Sequence, residues 1–156
     1  MKPFADTNFF TNLWLPLRFS LDAQSLASSV ANQSLQFPVT FLLEAELTNA
    51  LQRLVFETRH GFQGLHITPE AALLARHQFE EELAIGEMLE WKFLPESELS
   101  RTYQSLVYRH TAQHGFRTYD ILHVSTALCL GCDTFWSFDQ KAKQLATLEG
   151  METNAI

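Results

Sequence analysis

The residues in this chain best suited to chemistry are acids: Asp6, Asp120, Asp139, and one of the pair Glu44 and Glu46. Asp6 closes a short apolar run in Phe4-Ala5-Asp6-Thr7-Asn8-Phe9-Phe10, and Asp139 closes another in Trp136-Ser137-Phe138-Asp139. Both therefore fall at the carboxyl ends of predicted strands. Asp120 and the glutamates fall near the starts of predicted helices, and in a parallel sheet those two kinds of position share one rim, where ligands bind. Carboxylates gathered there repel one another and hold their protons more tightly unless a cation is present. Mg²⁺ and Mn²⁺ take oxygen ligands and keep several waters, so a few carboxylates suffice to hold them. Such a centre activates water and stabilises charge on a phosphoryl oxygen. The chemistry this set points to is metal-assisted hydrolysis of a phosphodiester.

Each acid also has an ordinary reading. Asp6 and Asp139 suit helix N-caps, and Asp120 suits the first turn of a helix, where a negative charge meets the positive end of the dipole. Glu44 and Glu46 lie on opposite flanks of one apolar stripe, about 160° apart around the helix. Only one of them can face a shared cleft, and helical periodicity does not choose between them.

Competing chemistries lack their signatures. The chain has no GxGxxG, P-loop, HExxH or GxSxG sequence. His60, His66, His77, His110 and His114 show no metal-ligand spacing, and His123 is expected to pack between helices. Cys129-Leu130-Gly131-Cys132 supplies two thiols where a structural zinc needs about four ligands, so both are expected to be reduced, buried and structural. The formal net charge of −7 argues against coating nucleic acid by phosphate neutralisation. It is compatible with an enzyme whose acidic cleft is neutralised by metal.

The elements that must position these acids follow from the hydrophobic pattern. With 156 residues, 46% of them hydrophobic, the chain is expected to fold as one domain, 1–156, around a real core. It has no apolar run long enough to span a bilayer and no signal-like start, so a cytoplasmic protein is the default. Strands are predicted at 4–5, 36–40, 90–94, 133–138 and 152–156. Helices are predicted at 7–18, loosened by Pro16, at 21–30, at 41–58, from Pro69 through Glu82, from a Ser97 or Ser100 cap to His114, from a Thr118 cap to Leu130, and from Asp139 onward. The glycine-bracketed stretch 60–64 reads as a loop, and Glu80-Glu81-Glu82 as a solvated helix face. Alternating strands and helices predict an α/β fold with a short-stranded central parallel sheet between two helical layers.

The acid-bearing segments resemble, in order, the motifs of PIN-domain nucleases. Phe4 to Phe10 is similar to their opening hhDTNhh motif. Phe41-Leu42-Leu43-Glu44-Ala45-Glu46-Leu47 resembles the second, an acid in an EL-containing helix, and this alignment selects Glu46. Tyr119-Asp120-Ile121-Leu122-His123-Val124-Ser125-Thr126-Ala127 resembles the third, and Trp136-Ser137-Phe138-Asp139 the fourth, (T/S)hD. By size and layout the chain is most similar to VapC-type toxin ribonucleases.

The resemblance implies a three-layer Rossmann-like PIN fold and RNA hydrolysis dependent on Mg²⁺ or Mn²⁺. It implies metal-holding roles for Asp6, Glu46, Asp120 and Asp139, with Thr7, Asn8 and Ser137 supporting them. It further implies a homodimer and a cognate antitoxin. Arg53, Arg117, Lys141 and Lys143 are the cations near the motifs that could meet RNA. Residues 57–91 match no motif. Two other readings of the same fold are a PIN nuclease of RNA maturation and a non-catalytic protein- or RNA-binding module. A phosphatase of the haloacid dehalogenase kind would want a second aspartate where Asn8 stands.

Overall fold

The strands of this chain are short, and two prolines decide how they join. The computed structural model describes residues 1–61 and 64–155; Phe62 and Gln63 of the predicted loop, and Ile156 at the end of the last predicted strand, lie outside them. Strands β1 (Pro3–Ala5), β4 (Thr134–Trp136) and β5 (Glu152–Thr153) form a parallel sheet in the order β1-β4-β5, with Phe4 opposite Phe135. Strands β2 (Phe37–Val39) and β3 (Leu89–Trp91) form a second parallel pair.

β2 runs beside β1, so the strands lie in the order 3-2-1-4-5, but no ladder joins those two. The backbone explains the gap. The Phe37 N–H and the Val39 carbonyl both face β3, bonding Met88 and Lys92, which turns the Pro38 nitrogen toward β1. The Asp6 N–H bonds the Trp136 carbonyl, which by the same alternation turns the Pro3 nitrogen toward β2. Proline has no N–H, so each facing edge is one donor short. The single central sheet predicted from the pattern is therefore two ladders laid side by side.

Successive strand residues point to opposite faces, and both faces are covered. Phe4 and Phe135 pack with Leu106, Ile121, Val124 and Leu145, under α5 (Glu96–Leu106), α7 (Thr118–Cys129) and α8 (Gln140–Leu148). Ala5 and Trp136 face Phe9, Phe37, Leu43, Leu47 and Phe79, under α1 (Thr7–Trp14), α2 (Ser20–Asn32), α3 (Phe41–Arg59) and α4 (Pro69–Ile85). The three-layer α/β/α arrangement is the expected one.

Several boundaries differ from expectation, each for a local reason. Helix α1 stops at Trp14 because Leu15, preceding Pro16, is extended at φ −120° and ψ 151°. Helix α5 is capped by Pro95 rather than by Ser97 or Ser100. It runs through a π-helical turn, Val107–Thr111, into α6 (Ala112–His114), and Gly115 at φ +66° ends the run. The N-cap of α7 is Arg117, one residue before the expected Thr118. Gly131, at φ +67°, follows the end of α7 and takes a left-handed turn that favours glycine. Both cysteines are free; Cys132 is buried, with its thiol pushed up to about 11 by burial, whereas Cys129 is only partly buried. Among the described residues no helix is long and apolar enough to cross a membrane.

Candidate active site

In the order 3-2-1-4-5 the chain reverses its direction of travel between β1 and β4, and the crevice beyond those strand ends is the ligand position of open α/β sheets. Here the ordinary readings of the three aspartates hold. The Asp6 Oδ1 accepts the Phe9 N–H at 2.9 Å and caps α1. The Asp139 Oδ1 accepts the Lys141 N–H at 2.7 Å and the Ala142 N–H at 3.3 Å and caps α8. The Asp120 Oδ2 accepts the Arg117 N–H at 3.3 Å at the start of α7. The positive ends of these three helices thus meet the acids at one rim.

Glu46 arrives from α3, and its Oε2 accepts the Thr7 hydroxyl at 2.6 Å and meets His123 Nε2. In Glu46, Asp120 and Asp139 the bonds fall on one carboxylate oxygen each. A cleft of about 490 Å³ is lined by all four acids together with Thr7, Asn8, Arg117 and His123.

Burial pushes the Asp6 carboxyl up to about 6, against the pull of His123 and of hydrogen bonds from Ser137 and Phe9. Burial and the neighbouring charge of Asp139 also raise Asp120. Burial acts on Glu46 in the same sense, but His123 and the Thr7 hydroxyl outweigh it and hold that carboxyl below its usual range. At Asp6 and Asp120 burial thus outweighs the pull of the nearby His123 and, at Asp120, of Arg117.

The supporting residues also surround this point. The Asn8 Oδ1 accepts the Phe138 N–H at 3.2 Å and ties α1 to the turn after β4. The Ser137 Oγ accepts the Asp139 N–H at 2.9 Å and bonds the Asp6 carboxyl. Glu44 turns to the other flank and pairs with Arg76 of α4 at 2.8 Å. Of the predicted cations, Arg117 lines the cleft, and Arg53 lies on an adjoining recess while pairing with Glu57 at 2.9 Å. Lys141 and Lys143 do not line it. The Lys141 Nζ donates to the His114 carbonyl at 2.8 Å and lies over the Phe116 ring, and the buried Lys143 Nζ donates to the Asn154 carbonyl at 3.3 Å.

His123, placed by its spacing from Asp120 where it could face the site but expected to pack between helices, does both. Its ring stands 6.2 Å from that of Phe4, and it also reaches Glu46. The signal for this was its position one turn after Asp120, on the same helix face.

Among the described residues no three His, Cys, Asp or Glu side chains stand close enough together to hold a metal ion as placed. The donor chemistry nevertheless fits a hard divalent cation, because four oxygen-donor acids line one cleft and burial disfavours the charged forms of Asp6 and Asp120 there.

No family model matches the chain, and no curated protein is matched by it. Solved structures are. VapC20 of Mycobacterium tuberculosis, described as a Sarcin-Ricin loop cleaving toxin, superposes with a TM-score of 0.62 at 16% identity, over 91% of this chain and 93% of that one. FitAcB of Neisseria gonorrhoeae gives 0.60 at 13% identity, covering 97% and 95%. VapBC2 of Rickettsia felis, bound to a DNA fragment from its promoter, gives 0.61 at 15% identity, covering 99% and 98%. The chain has the PIN-domain fold of VapC proteins. At such identities the likeness is one of fold. Within that fold the cleft lined by Asp6, Glu46, Asp120 and Asp139 lies at the β1–β4 switch point.

Proposed function

We propose that this protein is an endoribonuclease dependent on Mg²⁺ or Mn²⁺, acting in the cytoplasm as the toxin of a toxin–antitoxin pair. The observation that carries the reading is the delivery of Asp6, Glu46, Asp120 and Asp139 from four separate elements to one cleft of a PIN-domain fold. Those four acids would hold the metal. When bound, such an ion supplies an activated water and stabilises charge at the phosphate.

The remaining roles belong to the chain itself. Helix caps orient Asp6, Asp120 and Asp139. Thr7 and His123 fix Oε2 of Glu46, which leaves its other oxygen for the cleft. Ser137 and Asn8 brace the turn that carries Asp139. Arg117, which lines the cleft, would meet an RNA phosphate. A small antitoxin and a second copy of the chain are the proposed partners. Phe41, Trp91 and Phe93, exposed around one mostly apolar groove, support a protein-binding surface.

The test is cleavage of a mixed cellular RNA pool by purified protein with Mg²⁺, Mn²⁺ or chelator, beside an Asp6→Asn variant. Metal-dependent cutting that the variant lacks supports the reading, and cutting that survives chelation sinks the metal role. A second reading, a non-catalytic binding module, is favoured by the absence, among the described residues, of three acids close enough to hold an ion. Folded, inhibitor-free protein that cuts nothing under any condition would establish it.

A further inference from the structure

Glu46 is the wall between two recesses. On one side lies the carboxylate cleft; on the other lies a recess of about 390 Å³ lined by Leu42, Ala45, Asn49, Arg53 and Tyr119. Tyr119 borders both. Its side chain adds little to the core, which α7 builds from Ile121, Val124 and Ala127. It is 52% exposed, and among the described residues its ring stacks on no other aromatic side chain. Arg53, 66% exposed, lines the recess and donates through Nη2 to Glu57.

An exposed aromatic face, a guanidinium, an amide and two small apolar walls make a nucleotide-sized set. A base can stack on the Tyr119 ring against Leu42 and Ala45, with its edge toward Asn49 and its phosphate toward Arg53. A base inside a duplex cannot offer its face in this way, whereas a splayed, unpaired base can. Stacking also answers the charge balance. A chain of net charge −7 gains little from phosphate neutralisation alone, and aromatic stacking does not depend on it.

We infer that this recess is a subsite for one unpaired ribonucleotide flanking the scissile phosphate, with Tyr119 as its stacking platform. The inference rests on the ribonuclease reading above and adds to it the residue on which the flanking base stacks.

The test uses full-length Asp6→Asn protein, to prevent cutting, with a fluorescent random-sequence single-stranded RNA and a duplex RNA of equal length. Adding Tyr119→Ala should weaken single-strand binding by roughly tenfold or more, while Tyr119→Phe stays within about twofold and duplex binding does not change. Tyr119→Leu serves in place of the alanine variant if circular dichroism shows the latter to be unfolded. Equal single-strand affinity in the alanine and phenylalanine variants overturns the subsite, as does an equal loss on both RNAs. Cleavage by the parent protein, measured alongside, keeps the two readings apart. Metal-dependent cutting with Tyr119-independent binding overturns the subsite alone. Tyr119-dependent binding without any cutting overturns the nuclease alone.

Discussion

His123 of α7 meets Glu46 of α3 across 77 positions of sequence, on the same carboxylate oxygen that accepts the Thr7 hydroxyl at 2.6 Å. Three helices are joined at that oxygen, two from one face of the sheet and one from the other. Because the imidazole is buried and Glu46 only partly exposed, loss of one partner leaves the other poorly solvated. His123→Leu should therefore cost about 1–3 kcal/mol in urea unfolding. In a double-mutant cycle with Glu46→Gln, a coupling of about 1 kcal/mol or more is expected. Strict additivity would make the contact incidental.

Asp6 should destabilise the metal-free fold at neutral pH. Its carboxyl is raised from 3.8 to about 6 in the folded chain, chiefly by burial, so between those values the folded state holds a proton that the unfolded state has lost. Stability attributable to Asp6 therefore falls as pH rises from about 4 to 6, and the full penalty, on the order of 2–3 kcal/mol, applies above that. Asp6→Asn keeps an oxygen to cap α1 and removes the charge. In chelator it should melt higher than the parent near pH 7.5, with the gap closing toward pH 4. A variant that melts lower at neutral pH would show that the ionised carboxylate is stabilising there.

Divalent metal should reverse that order. A ligand that binds only the folded state stabilises it by about 2.7 kcal/mol at a hundred times its dissociation constant. Mn²⁺ should thus raise the melting temperature of the parent in a dose-dependent way and leave Asp6→Asn and Asp120→Asn largely unmoved. Chelator should return the parent to its starting value. Equal shifts in all three proteins would place the ion elsewhere.

Glu149 provides a test remote from the cleft. Arg109, in the π-helical turn, donates to both its oxygens at 2.7 and 2.8 Å, and His110 meets it as well. Burial opposes its charge, but these partners win and hold the carboxyl below its usual 4.5. The contribution is thus fully present above about pH 4.5 and is lost as pH falls through the lower folded value. Glu149→Gln should cost about 1–2 kcal/mol at pH 7 and nothing in strong acid, with RNA cleavage unchanged. A loss that persists in acid would point to packing instead.

Much of this was legible in the sequence because it is local. Asp6, Asp120 and Asp139 each close or open an element, and a carboxylate at a strand-to-helix turn is positioned by backbone N–H groups two or three residues away. Strand and helix order, the stop after α7 and the layer arrangement follow from periodicity and from glycine and proline chemistry within a few residues. Where such rules failed, as at the Pro95 cap or the break between β1 and β2, the residues responsible were in plain view but their strand partners were not.

What only the tertiary structure decided concerns side chains whose partners are distant in sequence. Periodicity left Glu44 and Glu46 on equivalent flanks of α3 and only the motif resemblance selected Glu46; the physical cause is tertiary, Arg76 of α4 on one side and His123 and Thr7 on the other. Lys141 and Lys143 lie beside the fourth motif, yet their long, flexible stems carry the ammonium groups to the His114 and Asn154 carbonyls. Backbone conformation is set largely by near neighbours and so can be read along the chain. The partner a side chain meets depends on which helices pack together, and that is settled only when the whole core closes.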